Sequence, residues 1–92
     1  MLFGLANAEF KRGRIVEAEA TYRKLLDIDN DHVAARNNLA WLLADQGRFV
    51  EAQRAIAEAL RLNKEPALED ELRDTASRIQ RRAGEARTDE TQ

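Results

Sequence analysis

The sequence has no cysteine and only one histidine, one proline and one tryptophan in 92 residues. Without cysteine, disulfides, thiolate metal sites and thiol catalysis are excluded. His32 has no second histidine or cysteine with which to complete a metal site, so no metal is expected. Ser77 is the only serine, and it stands in no motif with a histidine or lysine that activates a nucleophile. The four glycines form no phosphate-cradling loop. These gaps leave no chemistry for an enzyme and none for a cofactor. Long apolar runs are missing as well. No stretch approaches the ~20 residues of a membrane span. Asn7 and Glu9 interrupt the opening MLFGLANAEF, which lacks the basic leader of a signal peptide. The default expectation is a cytoplasmic chain off the membrane.

Charge of one sign is also lacking. The 15 basic and 17 acidic residues leave a net charge of −2 and alternate along the chain. Nucleic-acid binders concentrate a basic face, and none is evident, so no nucleic-acid partner is expected. Aromatics are 5% of the chain and β-branched residues are few, which leaves little to build strands from. What remains is rich in Ala, Leu, Arg and Glu, all good helix formers. At 43% hydrophobic and 35% charged, the mix suits one small folded helical domain with a modest core.

The main signal is internal repetition. LANAEFKRGRIVEAEATYRKLLDID from Leu5 aligns with LAWLLADQGRFVEAQRAIAEALRLN from Leu39 at an offset of 34 residues. Leu5 and Leu39, Ala6 and Ala40, Gly13 and Gly47, Arg14 and Arg48, Val16 and Val50, Glu17 and Glu51, and Ala18 and Ala52 are identical pairs. Each copy reads as helix A, glycine, helix B and a polar break. Gly13 and Gly47 sit where helix A must end, in the left-handed conformation that glycine adopts at no steric cost. Helix B then carries an apolar stripe at spacings of three and four. In the first copy the stripe is Ile15, Ala18, Tyr22, Leu25 and Leu26. In the second it is Phe49, Ala52, Ile56, Ala59 and Leu60. Ala6, Ala18, Ala40 and Ala52 are small enough to let helices A and B approach. Asp29-Asn30-Asp31 supplies turn formers, with Asp31 the expected cap of the next helix. Pro66 suits the first turn of another.

This 34-residue unit resembles the tetratricopeptide repeat. The matching residues are Leu5, Ala6, Gly13, Ile15, Ala18 and Tyr22, then Leu39, Ala40, Gly47, Phe49, Ala52, Ile56 and Ala59. The resemblance implies an all-α chain, a right-handed α-solenoid of two helix-turn-helix repeats plus a C-terminal capping helix, five helices in all. Repeat one spans 1–30 and repeat two spans 31–65. Glu9 departs from the family pattern, which places a buried aromatic there; Leu43 is its counterpart in repeat two. Leu25 stands for a usual alanine and Asn30 for a usual proline.

The cap is expected over 67–83, with Leu68, Leu72, Ala76, Ile79 and Ala83 as its one apolar stripe. Glu69, Asp70, Glu71 and Asp74 crowd its start and Arg78, Arg81 and Arg82 its end, an order that suits the helix dipole. A polar outer face is what the end of a repeat stack requires. Gly84 is the expected helix end and 85–92 an expected disordered tail. The front carries no such cover. Leu2, Phe3 and Leu5 cannot all face one partner helix, which suggests a homo-oligomer joined through the N-terminal hairpin.

By the resemblance, the A helices line a concave groove that holds a peptide or helix of a protein partner. The lining is then Phe3, Asn7, Phe10 and Lys11 from repeat one, and Ala34, Asn37, Trp41, Ala44 and Asp45 from repeat two, with Asn38 at the edge. These residues also fall opposite or beside the Leu5/Ala6 and Leu39/Ala40 stripe. Trp41 is the natural anchor, since buried aromatics carry much interface energy; the blander role is to cover the core. Asn7 and Asn38 match the two asparagines of the family's carboxylate clamp. The clamp's cationic positions fall on Phe3, Leu68 and Leu72, all apolar, so clamp function is not expected. His32 is expected on a loop surface, and the acidic pairs as caps and solvated faces. A structural role, as a scaffold piece or the C-terminal end of a longer array, is the alternative to peptide binding. An RNA-binding helical repeat has a similar period, but the mild acidity weighs against it.

Overall fold

The computed structural model describes the backbone of residues 1–91 and the side chains of residues 1–87. The described residues form five helices and no strand: α1 (Leu2–Lys11), α2 (Ile15–Ile28), α3 (Val33–Asp45), α4 (Phe49–Leu62) and α5 (Pro66–Thr91). The strongest pairings are α3 with α4, α1 with α2, and α4 with α5. α2 also touches α3, and α5 touches α3, whereas α2 and α4 share no backbone contact. The first four helices are therefore two hairpins in series, and α5 closes the second.

The two hairpin turns are near copies. Gly13 and Gly47 have φ of 77° and 76°. The Gly13 N–H donates to the Phe10 carbonyl at 3.0 Å and the Arg14 N–H to the Glu9 carbonyl at 2.9 Å. Gly47 to Ala44 and Arg48 to Leu43 repeat the pattern, both at 2.9 Å. This pair of bonds is the Schellman motif, which satisfies helix-end carbonyls and requires the left-handed residue. The glycine spacing thus sets where each A helix stops. Ala6, Ala18, Ala40 and Ala52 are fully buried, as close helix packing demands. Tyr22, Leu42, Leu43, Ile56 and Ile79 are the largest side chains closed off from water.

The cap is as long as expected at its front and longer at its back. Leu72, Ile79 and Ala83 are buried, with Leu68 and Ala76 packed against the core. Thr75 joins them; its hydroxyl donates to the Glu71 carbonyl one turn back at 3.0 Å, which removes the cost of burying it. The helix does not end at Gly84 but runs on to Thr91, so the expected tail is helical over 85–91, and Gln92 lies outside the described residues. Gly84 has no positive φ. A mid-helix glycine costs only about 1 kcal/mol against alanine, and Glu85, Ala86 and Arg87 are good helix formers.

Two further expectations are corrected. The cap of α3 is His32, not Asp31: His32 Nδ1 accepts from the Ala35 N–H at 3.1 Å. His32 lies in the loop before α3 as expected, but it is half-buried and not fully exposed, because its ring packs on Phe3 with centroids 4.7 Å apart.

Candidate functional site

α1 and α3 lie side by side, and a groove of about 690 Å³ runs between them. Its lining is Gly4, Asn7, Ala8, Phe10 and Lys11 from α1, Asn38, Trp41 and Asp45 from α3, and Tyr22 from α2 at its base. Six of the ten residues expected in or at the edge of a partner groove are therefore brought together: Asn7, Phe10, Lys11, Asn38, Trp41 and Asp45.

Phe3 and Asn37 are placed elsewhere. Phe3 packs on the core and on His32. Asn37 lies one turn from Ala40 and Trp41, on the boundary between the groove face and the buried face of α3. It falls on the buried side, 7% exposed, and its Oδ1 has no hydrogen-bond partner among the described residues. Ala34 borders a separate hollow near His32 and Leu68, and Ala44 is buried.

The base of the groove is a small polar network. The buried Tyr22 hydroxyl donates to Asn7 Oδ1, and Asn38 Nδ2 donates to the same oxygen at 2.9 Å. Burial pushes the Tyr22 phenol above its ordinary pKa, against a smaller opposing effect from Asn38. A buried tyrosine needs such a partner, and that need was the signal in the sequence that could have placed Tyr22 beside Asn7. The network consumes one oxygen of Asn7 and one nitrogen of Asn38. Asn7 Nδ2 and Asn38 Oδ1 have no protein partner among the described residues, and neither is buried. An amide donor and a carbonyl acceptor thus open to the groove beside the half-buried Trp41 ring. Asp45 is held by Arg82 of α5 at 2.9 Å, while Lys11 is exposed and without an ion-pair partner among the described residues.

A second trough, about 630 Å³, lies on the other side of α3, between α2 and α4. Leu26, Leu39, Leu43 and Ala55 give it an apolar floor. Most of the charged groups on its rim are already engaged. Arg36 bonds the carbonyl and the side chain of Asn30 at 3.1 and 2.8 Å, Glu58 pairs with Arg61, and Arg23 pairs with Glu19. The α1–α3 groove differs in its aromatic surface, with Phe10, Tyr22 and Trp41 in its lining, whereas no aromatic lines the trough.

A model of the tetratricopeptide repeat matches residues 9–70. The chain belongs to the tetratricopeptide repeat family. The match takes in all of α2, α3 and α4, with the last turn of α1 and the first of α5. A search of curated proteins returned no match. Tetratricopeptide repeats are in general non-catalytic modules of protein–protein interaction. The departure at Glu9 has a local compensation: its carboxylate accepts from Thr21 Oγ1 at 2.7 Å, bridging α1 to α2 where Leu43 is simply buried in the second repeat. No helix among the described residues is long and apolar enough to cross a membrane.

Proposed function

We propose that this tetratricopeptide repeat chain binds a segment of a partner protein, an extended peptide or a helix, in the groove between α1 and α3. The observation that carries the reading is the pairing of Trp41 with two open amide groups, Asn7 Nδ2 and Asn38 Oδ1, in one groove. Trp41 offers apolar area to a side chain, and the amides offer a donor and an acceptor to a main chain or polar group. A groove of this size matches the range of ligand sites in general. Peptides selected from a display library against the full chain supply the test. Trp41→Ala is expected to weaken the selected peptides by more than about 1 kcal/mol, roughly fivefold or more in Kd, with unchanged helical circular dichroism. Equal affinity for both proteins contradicts the assignment.

A second reading is favoured by Leu5, which is 51% exposed while its counterpart Leu39 is 4% exposed. In that reading the chain is an assembly piece, joined by its N-terminal face to a copy of itself or to further repeats.

A further inference from the structure

One face of this molecule has an occupant, and among the described residues its duplicate 34 positions earlier has none. The occupied face belongs to the second hairpin, at Leu39, Arg48 and Glu51. α2 lies along it. Glu19, Arg23 and Leu26, spaced four and three apart, form the stripe of α2 that meets it. Arg48 sits just after the Gly47 turn and grips two carboxylates. Its Nη1 and Nη2 reach the Glu19 oxygens at 2.6 and 3.1 Å, and its Nε and Nη2 reach those of Glu51 at 2.9 and 2.8 Å. Arg23 adds a 3.6 Å contact to Glu51. Leu26 borders the same trough as Leu39. α2 and α4 share no backbone contact, and this charged clasp bridges them through their side chains.

The first hairpin carries the same three residues: Leu5, Arg14 and Glu17. The Gly13 turn presents Arg14 as the Gly47 turn presents Arg48. Among the described residues the side chains of Arg14 and Glu17 have no partner, both are exposed, and Leu5 is half uncovered. We propose that this face docks an amphipathic helix of a partner protein bearing Glu-x3-Arg-x2-Leu. The inference rests on the second reading only in taking the face as an interface, and it needs nothing of the groove. A second copy of the chain offers no free stripe of this kind. Its one Glu-x3-Arg-x2-Leu stripe is Glu19, Arg23 and Leu26, already engaged within it. The matching stripe of α4 is Gln53, Ala57 and Leu60, without either charge. α5 offers Glu69 and Arg73 but Ala76 in place of leucine.

The test joins a second copy of residues 1–34 ahead of Met1 of the full chain. This presents the α2 stripe to Leu5 in the register it keeps toward Leu39. Arg14→Ala is expected to lower the thermal midpoint of the joined protein by about 3 °C or more and to leave the 92-residue chain within about 1 °C. Arg14→Glu is expected to be rescued by Glu19→Lys in the added copy. Equal responses to Arg14→Ala in the two proteins overturn the proposal, as does non-cooperative unfolding of the joined protein, which shows that the added hairpin finds no seat. Sedimentation of the 92-residue chain gives an independent reading. A monomer from micromolar to millimolar concentration supports a partner helix, and a dimer abolished by Leu5→Gln gives the face to a second copy instead.

Discussion

The two hairpins share a template and differ in what surrounds it. Leu5 and Leu39 are the same residue at the same repeat position, yet one is half exposed and the other is buried. Arg14 and Arg48 are likewise the same residue after the same turn, yet only Arg48 is clasped. Within a hairpin the copies behave alike: Ala6 with Ala18, and Ala40 with Ala52, are all fully buried. Contacts inside a repeat are therefore written into the repeat. Contacts between repeats depend on a neighbour, and among the described residues the first hairpin meets one on one side only.

The sharpest way to break this comparison is truncation at the paired leucines. Leu39→Ala removes a buried side chain and is expected to cost about 2–5 kcal/mol. Leu5→Ala removes one that water already reaches and is expected to cost less than about 1 kcal/mol. Urea unfolding of both variants checks the ratio; similar costs mean that the N-terminal face is covered in solution.

The glycines offer the opposite control. A Cβ at Gly13 or Gly47 meets nothing within 4 Å, so the cost of alanine there is the backbone conformation alone. Both variants are expected to lose about 1–2 kcal/mol, equally, because the turn is internal to each hairpin. An unequal loss contradicts the division between internal and neighbour-dependent contacts.

The smallest effect concerns acid. Hydrogen bonds from Arg48 hold the Glu19 and Glu51 carboxyls below their ordinary value of 4.5. A carboxyl whose pKa is depressed on folding contributes stability above its unfolded pKa and loses it as pH falls through the folded value. Stability is thus expected to decline below about pH 4.5, and Arg48→Ala to flatten part of that decline, as read by thermal midpoints from pH 6 down to pH 3. Arg14→Ala is expected to leave the profile of the 92-residue chain unchanged. Both acids are close to solvent, so the difference is small.

The same division explains how far the sequence could be read. The glycine turns, the four alanines, the helix B stripes and the front of the cap all follow from periodicity, which reports contacts inside the repeated unit. Periodicity places a residue on a helical face only to within a position or so. Asn37 and Trp41, one turn apart on α3, consequently fell on opposite sides of the groove boundary. Pairings between different side chains leave no periodic trace. The Glu9–Thr21 bridge, the Tyr22–Asn7–Asn38 network and the Arg48 clasp each appear once, so nothing in the repeat pattern announced them. His32 displaced Asp31 as the cap because its ring is also pinned by Phe3, a contact between hairpins. Glycine at position 84 signalled a helix end, but its good helix-forming neighbours carried the helix through.

For the proposed entry of partners into the groove beside Trp41, the molecule carries its own reporter. Trp41 is the only tryptophan, so indole emission comes from the groove alone. Titration of a tryptophan-free peptide selected against the full chain, followed by fluorescence and by calorimetry, measures binding and site together. A saturating blue shift of the emission with the same midpoint as the heat signal is the predicted result. Binding heat that saturates while the Trp41 emission stays unchanged contradicts it.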